Sequence, residues 1–438
     1  MILNKPSPKF TYILGLGLVL ISGCASFTPT EENIPLPGPG STGDGSSISQ
    51  LEIVSPWTGG AERDALEALV EVYQRQNPGV EVINPVNSGL SHPEVVALFF
   101  ERLEKQQPFD SWPVHPGDMV RNHVILGQVE PLTQLFKDQG LDQVMHPVLI
   151  EQITFNGEIY SIPLNIHRSN VLWYNPEVFE ANQLAPPETI EDFFEVAEAL
   201  EDRGITPLAI GGSLGFEVGH LFESVLLAIF GLDDYLHLFQ ADTDMWEDQR
   251  TLSAIDTLKK MLAYTNEDRL ESSWEAAALR VVDGEAGMTV MGDWTDGYLI
   301  NQGALPNQDF GWAAAPGTNG AFIWLSDGFV LAAGAVNRDA GLAWMKAVGS
   351  KDGQDAFNPI KGSIPARLDA DKSLYDEYLQ WSIDEFASDV LVPSVVHEAI
   401  GTEEYLIAYG DALVTFSKDL DEVKLLQSLK EAVALLNR

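Results

Sequence analysis

The chain has 438 residues, and its 25 Lys and Arg against 65 Asp and Glu give a net charge of −40 at pH 7. Such a surface repels nucleic acid and disfavours anionic ligands, which excludes a nucleic-acid-binding protein. The acidic residues are spread along predicted helix faces rather than gathered in one tail, so they account for solubility and do not form an acidic binding segment.

The N-terminus has the order of a secretory signal: basic residues, an apolar run and then small residues. Lys5 and Lys9 come first, the apolar run spans 13–21, and Cys24 follows two small residues. The run is shorter than the roughly 20 apolar residues that cross a bilayer as a helix. We therefore expect residues 1–23 to be the signal peptide of a protein that works outside the cytoplasm.

Cys24 is the single cysteine of the sequence, so it cannot form an intramolecular disulfide. The Ile-Ser-Gly-Cys sequence that ends at Cys24 resembles the lipobox of bacterial lipoproteins, in which the cysteine becomes the lipid-bearing N-terminus. The resemblance implies a lipid anchor, and an ordinary signal with an incidental cysteine is the alternative. Residues 24–50 are rich in Pro, Gly, Ser and Thr without apolar periodicity, which predicts a disordered tether.

The body that follows has nearly 390 residues. Because single hydrophobic cores stop growing at about 250–300 residues, two domains are expected. LEIVS and VEVIN predict strands, and each is followed by a segment with apolar residues at helical spacing. This alternation of strand and helix predicts a parallel sheet in an α/β fold.

Residues 160–175 again predict strands, and a helix follows with Thr189 as its N-cap and Gly204 at its end. Further helices, a second strand-rich stretch and a mainly helical C-terminal hundred residues complete the chain. The pattern changes near residues 165, 314 and 364. If the chain passes between two domains at these points, the cleft between the domains is where a ligand is expected.

Segments along nearly the whole body resemble the extracellular solute-binding proteins of bacterial ABC transporters, in the group that takes up sugars. The most specific segment, YSIPLNIHRSNVLWYNPEVFE, resembles the crossover strand of that family. SPWTGGAERDALEALVEVYQRQNPGVEVI resembles its opening strand, tryptophan turn and first helix. The motifs NIHRSNV, MGDWTDGY, FNPIKGSI and VVH are most similar to the branch that binds glucose and related aldohexoses.

The resemblance implies a two-lobed α/β periplasmic-binding-protein fold of type II, the Venus-flytrap fold, with three interlobe crossovers. Combined with the pattern changes, it assigns residues 51–166 and 314–364 to an N-terminal lobe and residues 167–313 and 365–438 to a C-terminal lobe. It also implies a monomeric, non-enzymatic protein without cofactor or metal. Such a protein would deliver a monosaccharide, glucose or a close epimer, to ABC permease subunits from the periplasm or the cell surface.

A sugar presents apolar C–H faces and hydroxyls that both donate and accept, so its site needs aromatic rings beside carboxylates, histidines and lysines. The resemblance places such residues at ligand-contact positions: Trp57, Glu62, His115, Trp274, Trp294, Asp327, Lys361 and His397. The alternatives are core packing for the tryptophans, a structural role for the histidines and an exposed position for Lys361. His167 and Arg168 are interpreted as hinge or interlobe residues.

Two departures and two other classes of function stay open. Pro56 and Pro113 stand where related proteins have a second tryptophan and a polar group, so the identity of the sugar is open, and a disaccharide is the alternative to a monosaccharide. Gly211–Gly215 fits the nucleophile elbow of α/β-hydrolases, with Asp327 and His397 in the order that those enzymes use. A serine hydrolase, or a glycosidase with paired acids, is therefore the alternative to a binding protein. Metal chemistry has little support, since the His-Glu pair at 397–398 lacks the second histidine of His-Glu-x-x-His.

Overall fold

The computed structural model describes residues 50–85, 92–212, 215–240 and 244–437. The predicted signal peptide, Cys24, the predicted tether up to residue 49 and Ser213 of the predicted nucleophile elbow lie outside the described residues. Within those four ranges, the search for a helix with the length and apolar character of a membrane span finds none.

Strands and helices alternate along most of the described chain. The strands are β1 (Gln50–Glu52), β2 (Glu81–Ile83), β3 (Ser111–Val114), β4 (Thr154–Phe155), β5 (Glu158–Ile159), β6 (Ile162–Pro163), β7 (Asn165–Arg168), β8 (Val171–Tyr174), β9 (Thr206–Leu208), β10 (Ala286–Val290), β11 (Gly311–Ala314), β12 (Ala321–Leu325), β13 (Gly328–Leu331), β14 (Ile364–Pro365) and β15 (Val390–Pro393). The helices are α1 (Gly60–Gln76), α2 (His92–Glu104), α3 (Asp118–Ile125), α4 (Thr133–Asp138), α5 (Pro147–Gln152), α6 (Pro176–Asn182), α7 (Ile190–Glu201), α8 (Phe216–Tyr235), α9 (Gln249–Ala263), α10 (Trp274–Val282), α11 (Trp294–Asn301), α12 (Arg338–Gly349), α13 (Lys351–Lys361), α14 (Glu377–Ser388), α15 (Glu403–Asp419) and α16 (Glu422–Val433).

Two adjoining groups of strands, β1-β2 and β3-β13-β6, are together called the first sheet. β1 and β2 pair in parallel, as the alternation of strand and helix predicts, and a parallel bridge between Ile53 and Ser111 leads on to β3. β13 then runs antiparallel between β3 and β6. The expected parallel sheet is therefore mixed, because β13 returns from a distant part of the chain in the opposite direction.

Two further sheets follow. The second sheet has the order β11-β8-β10-β9, with β8 antiparallel to both β10 and β11. A third sheet, which we call the connecting sheet, has the order β14-β7-β12-β15. Leu164 alone separates β6 from β7, and Ser326 and Asp327 alone separate β12 from β13. The connecting sheet is thus continuous in sequence with the first sheet at both places, and this continuity positions the candidate site.

The lobe boundaries remain a prediction. The pairing of the strands gives evidence about the boundary predicted at residue 314. Residue 314 ends β11, which belongs to the second sheet with β8. The Ala315 N–H donates to the Asn170 carbonyl at 2.9 Å and the Gly317 N–H to the Glu188 carbonyl at 2.8 Å, so the chain stays beside the second sheet. These contacts favour a passage at β12, from residue 321, over a passage at residue 314.

Two large hydrophobic clusters fill the body. The first includes Leu69, Tyr73, Phe329 and Trp344 around the first sheet and extends through the connecting sheet to Trp173 of β8. The second surrounds the second sheet and includes Leu172, Phe222, Leu258 and Phe416. Two extensive apolar clusters agree with the expectation of two domains for a body of this length.

Local signals in the sequence set the ends of α7. Thr189 accepts a hydrogen bond from the Asp192 N–H at 3.1 Å, and the Asp192 carboxylate accepts one from the Thr189 N–H at 3.0 Å, which forms a capping box. At the other end Gly204 has φ +73°, a conformation that glycine adopts at low cost. Both predicted ends of this helix are confirmed.

Candidate functional site

Asp327 lies in the two-residue turn between β12 and β13 and forms the centre of a buried polar cluster. Its carboxylate accepts a hydrogen bond from Asn165 Nδ2 at 2.7 Å, while its own N–H donates to Asn165 Oδ1 at 2.6 Å. Nε2 of His167 is 3.3 Å from Asp327 Oδ2, and Nδ1 of His115 is 3.5 Å from Asp327 Oδ1. With 6 % exposure, Asp327 is nearly removed from solvent and held from three directions.

His167 connects Asp327 to a second buried carboxylate. Its Nδ1 hydrogen-bonds Asp293, whose other oxygen accepts the Arg168 N–H at 2.9 Å. Burial alone would lower the pKa of His167, but Asp293 and Asp327 outweigh it and raise that pKa. Burial would likewise raise the pKa of Asp327, yet His167, His115 and Lys361 hold it well below its usual range. The two carboxylates therefore favour the protonated form of His167.

Lys361, the last residue of α13, provides the second buried cation. Its Nζ donates to Glu62 Oε1 at 2.9 Å, and the two side chains are 3 % and 42 % exposed. Burial alone would lower the pKa of Lys361, but Glu62 and then Asp327 outweigh it and raise that pKa. Nζ lies 5.9 Å from the ring centroid of Trp294, at the outer limit of a cation–π contact.

The position of Lys361 depends on a close approach of α13 and α11. Gly362 ends α13 with φ +76°, and a Cβ there would clash with the Gly297 backbone nitrogen. A Cβ at Gly297 would in turn be 2.6 Å from the Ile360 carbonyl oxygen. Because neither position has room for a side chain, the two helices meet backbone to backbone. This contact brings Lys361 towards Trp294 at the start of α11.

Aromatic rings form the other side of the cluster. The Trp294 ring centroid is 5.5 Å from that of His167, 5.3 Å from His220 and 5.2 Å from His397. Nε2 of His220 and Nε2 of His397 are 2.8 Å apart. Phe216 covers both of the last two rings, at 5.9 and 6.0 Å. The arrangement places a flat aromatic surface beside buried hydrogen-bonding groups.

The histidines on this aromatic side are neutral. Burial lowers the pKa of His220 to about 3. Burial also holds the pKa of His397 well below its usual range, with further lowering by His220, His115 and His167. The candidate site thus has an ionic side around Asp327 and a neutral side around His397, and Trp294 contacts both.

Contacts join six of the eight predicted residues into this cluster. They are Glu62, His115, Trp294, Asp327, Lys361 and His397. These residues are far apart along the chain. Lys361 and Glu62 are 299 positions apart. His115 hydrogen-bonds the Ser326 carbonyl at 3.2 Å across 211 positions. Whether these side chains contact a ligand remains a prediction, and their assembly at one place supports it.

Trp57 and Trp274 have other neighbours. Trp57 is 7 % exposed and packs on Phe357 at 5.4 Å and Phe329 at 6.0 Å. Phe357 lies on α13, which ends at Lys361, and Phe329 lies on β13, which follows Asp327, so Trp57 borders the cluster. Trp57 also lines a cavity of about 290 Å³ that α1 forms with Val82 and Asn84. Trp274 packs edge-on against Tyr298 at 5.2 Å. The prediction that they contact a ligand stays open.

Arg168, interpreted from the sequence as a hinge residue, is fully buried in the connecting sheet. Its guanidinium lies 4.5 Å from the Trp381 ring and 5.0 Å from the Phe322 ring, and it donates to the Ala321 carbonyl at 3.2 Å. These contacts tie β7 to β12 and α14. They support the interpretation of Arg168 as a structural residue between the sheets.

Sequence reasoning missed four residues of the cluster: Asn165, Phe216, His220 and Asp293. Asn165 was detectable, because it is two positions from His167 and therefore on the same face of β7. His220 and Glu223 were also detectable, because they are polar residues one turn apart on α8, a helix whose buried positions are mainly apolar. Asp293 lies within the motif MGDWTDGY, but nothing local to that motif indicated its pairing with His167.

The alternatives of a serine hydrolase and of a metal site involve some of the same residues. Asp327 pairs with His115 and His167, while the hydrogen bond of His397 Nε2 goes to His220, so these contacts are not those of an Asp-His pair of a catalytic triad. The third predicted member, Ser213, lies outside the described residues. Within the described ranges, the search for three or more His, Cys, Asp or Glu arranged to hold a metal ion finds no group.

Comparison with known proteins identifies the family. The sequence profile of the bacterial extracellular solute-binding proteins matches residues 59–355. An uncharacterised extracellular-binding protein of an ABC transporter from Pyrococcus horikoshii is 32% identical over 422 residues, which cover 94% of both chains. The chain belongs to the bacterial extracellular solute-binding proteins. A xylose/arabinose-binding protein from Haloferax volcanii is 26% identical over 85% of this chain and 82% of its own length.

Solved structures agree on the fold. The bacterial solute receptor AcbH, described as having an exclusive preference for β-D-galactopyranose, superimposes with a TM-score of 0.78 at 17% identity. The superposition covers 89% of this chain and 99% of that one. A chitin oligosaccharide binding protein superimposes with a TM-score of 0.76 at 18% identity, over 89% of this chain and 98% of its own. The two-lobed α/β fold of type II expected from the sequence is thus confirmed, and so is the family.

Proposed function

We propose that this solute-binding protein captures a monosaccharide, glucose or a close epimer, and delivers it to the permease of an ABC transporter. The observation that carries the proposal is the cluster itself. A buried carboxylate, a buried lysine and neutral histidines are assembled around the face of one tryptophan. These are the chemical groups that a sugar ring needs, although the residues come from distant parts of the chain.

The chemistry of the two sides matches the two kinds of surface on a sugar. Asp327 accepts hydrogen bonds from hydroxyls and Lys361 donates to them, and charged hydrogen bonds of this kind contribute about 1.5–3 kcal/mol each. The Trp294 ring offers an apolar face to the C–H groups. Two or three charged hydrogen bonds and one stacked ring are enough for micromolar affinity, which corresponds to about 8 kcal/mol.

The relatives support a sugar and leave its size open. Besides the xylose/arabinose-binding protein, a probable sugar-binding periplasmic protein from Mesorhizobium japonicum is 28% identical over 76% of this chain and 79% of its own length. The buried polar groups of the cluster favour a single ring. A pocket that pairs every hydroxyl of one ring rejects analogues that lack one, because its buried groups would be left unpaired.

Binding would act through the equilibrium between open and closed lobes. A ligand that contacts both lobes stabilises the closed state, so its differential affinity for that state drives closure. In this proposal the protein is a monomer without catalytic activity, and the closed, sugar-loaded form is what the permease subunits recognise. In the predicted division into lobes, Asp327 and Trp294 are then contacts from different lobes.

The test is a calorimetric titration with glucose, galactose, mannose, xylose, maltose and trehalose under one condition. We expect a monosaccharide to bind at least tenfold more tightly than either disaccharide. Tightest binding to a disaccharide by tenfold would contradict the preference for one ring, and absence of binding to every sugar would contradict the proposal as a whole. Hydrolysis assays on ester and glycoside panels, expected to be negative, address the enzyme alternatives.

We also propose that Cys24 carries a lipid that anchors the protein to the membrane by a tether. The basis is the sequence alone: one cysteine, placed directly after a signal-like run. A Cys24→Ser variant should no longer fractionate with membranes, whereas the control variant Ser26→Ala, which leaves the cysteine in place, should still do so. If the Cys24→Ser protein is processed and still sediments with membranes, the anchor is not at Cys24.

A further inference from the structure

Behind His397, two buried residues of α8 continue the polar cluster away from the candidate site. His220 and Glu223 are three positions apart on α8, and both are 0 % exposed. Nε2 of His220 is 2.8 Å from His397 Nε2, and Nδ1 of His220 is 3.7 Å from Glu223 Oε1. The three side chains therefore form a line from the helix core to the neutral side of the site.

Glu223 fixes the backbone that carries His397. Its Oε2 accepts the Val395 N–H at 3.1 Å, and Ser394 Oγ lies 3.0 Å from each carboxylate oxygen. Ser169, between β7 and β8, donates from Oγ to Glu223 Oε1 at 2.5 Å. One buried carboxyl group thus joins α8, the segment after β7 and the loop that leads to His397.

The contact between the two imidazole rings constrains their protons. A nitrogen–nitrogen distance of 2.8 Å requires an N–H on one ring and a lone pair on the other. Nδ1 of His220 lies 3.7 Å from Glu223 Oε1, beyond hydrogen-bond distance, and makes no hydrogen bond to the described residues. The electrostatic attraction of the Glu223 carboxyl group, which accepts hydrogen bonds from Ser169, Ser394 and the Val395 N–H, favours a proton on Nδ1. With its proton on Nδ1, a neutral His220 presents a lone pair at Nε2, so His397 must be the donor.

We propose that Glu223 and His220 are positioning residues that hold His397 in the Nε2–H tautomer, which makes His397 Nδ1 a hydrogen-bond acceptor for a ligand hydroxyl. The tautomer is a property of the free protein, while the role of Nδ1 towards a hydroxyl rests on the proposed function. Asp327 and His397 would then both accept hydrogen bonds, and Lys361 would supply the donor. The site would require a ligand group that donates at the position facing His397.

The tautomers can be measured in the ligand-free full-length chain by long-range ¹H–¹⁵N correlation spectra of histidine-labelled protein at about pH 8, above the ordinary pKa of histidine. The chain contains its own references. His146 Nδ1 accepts the Val148 N–H at 3.2 Å, which fixes an Nε2–H tautomer. His123 Nε2 accepts from Trp112 Nε1 at 3.4 Å and its Nδ1 faces Gln128 Oε1 at 2.6 Å, which fixes an Nδ1–H tautomer.

We expect the His397 signals to match the pattern of His146 and the His220 signals to match that of His123. His397→Gln and His220→Gln variants assign the two sets of signals. A His397 ring with its proton on Nδ1, or one that averages between both tautomers, would overturn the proposal. No ligand is needed for this result, so it does not depend on whether the protein binds sugar.

A pair of variants at position 220 tests the positioning role. His220→Gln keeps a carbonyl oxygen near the place of Nε2 and can accept from His397, whereas His220→Leu cannot. D-Glucose and D-galactose serve as probes. We expect the Leu variant to release His397 to a mixture of tautomers and to bind the preferred probe at least tenfold more weakly. The Gln variant should retain the tautomer and stay within threefold of the wild type.

An unchanged His397 tautomer in the Leu variant would overturn the role of His220. An unchanged affinity beside a changed tautomer would overturn the role of His397 Nδ1 towards the hydroxyl. If the wild type binds neither probe, the proposed monosaccharide function fails. The tautomer measurement still tests whether Glu223 and His220 hold His397 in the Nε2–H tautomer. The two proposals can therefore fail separately.

Discussion

His167 and His397 both pack against Trp294, at 5.5 and 5.2 Å, yet their pKa values are shifted in opposite directions. His167 lies between Asp293 and Asp327, and these carboxylates raise its pKa in spite of burial. His397 has another imidazole as its neighbour at 2.8 Å, and burial holds its pKa well below the usual range. Beside the same tryptophan, the surroundings of one imidazole favour its charged form and the surroundings of the other favour its neutral form.

The difference shows that partners, more than burial, decide the charge of an ionisable group. A buried charge is stable only when a counter-charge and hydrogen bonds replace the lost water, and His167 has both. His397 lacks an equally close carboxylate, so its neutral form is preferred. For ligand binding, the contrast provides fixed charges on one side of the site and neutral donors and acceptors on the other.

The largest expected effect is the loss of the ionic side. Asp293→Ala would leave His167 and the Arg168 N–H without their shared buried acceptor, and breaking a buried pair costs about 3–5 kcal/mol. Urea unfolding of the ligand-free protein should show this loss in the free energy of unfolding. Asp256→Ala, which removes an exposed pair with Lys260, is the control and should change it by less than about 0.5 kcal/mol. Similar values for both variants would mean that the ionic side contributes little.

The next effect concerns ligand affinity. Asp327→Ala removes a buried acceptor of hydroxyl groups, and a charged hydrogen bond is worth about 1.5–3 kcal/mol, so affinity should fall at least tenfold. Calorimetry with the monosaccharide that binds most tightly measures it. Asp327→Asn keeps a side-chain oxygen for Asn165 Nδ2 and should retain more of the stability without ligand. Unaltered affinity of the Ala variant would remove Asp327 from the site.

The neutral side makes stability depend on pH in the acid range. His220 titrates near 6.5 in the unfolded chain and at about 3 in the folded protein, so only the unfolded chain takes up this proton between those values. The free energy of unfolding should therefore fall as pH falls below about 6.5, by up to about 1.4 kcal/mol per pH unit for one proton. His220→Gln should reduce this slope in urea unfolding between about pH 7 and pH 5. His237→Gln, at an exposed position, should not.

His167 makes the free energy of unfolding depend on pH with the opposite sign. Its pKa is raised on folding, so its contribution is fully present below about 6.5 and is lost as pH rises through the folded value. His167→Gln should therefore weaken the protein most at acidic pH and least at alkaline pH. Parallel curves for the position 167 and position 220 variants would contradict the division into an ionic and a neutral side.

The smallest expected effect is that of Trp274, and it is measured against Trp294. Trp294 contacts both sides of the cluster, so Trp294→Leu should weaken sugar binding by tenfold or more. Trp274 packs on Tyr298, and Trp274→Leu should weaken binding by less than about threefold, which is within about 0.7 kcal/mol. Calorimetry on the two variants decides the order. A larger loss at Trp274 would mean that the ligand extends beyond the cluster towards α10.

Much of this protein could be predicted from local patterns. The periodicity of residues 60–76 predicts α1, the Thr189 and Asp192 pair predicts the start of α7, and the motifs around His167, Trp294 and Lys361 predict the family. Those signals are local because helix periodicity and capping involve residues only three or four positions apart. The likeness to the sugar-binding branch also selected residues that prove to lie together, among them Asp327 and His397.

Only the tertiary structure decided the partners and charge states within the cluster. His167 meets Asp293 across 126 positions and His220 meets His397 across 177, and no local pattern specifies such pairs. The antiparallel return of β13 likewise depends on pairing with β3, more than 200 positions away. A pKa is set by burial and by nearby charge, and both exist only after distant segments have packed together. The sequence therefore determined which chemical groups are available, and the fold determined which of them carry charge.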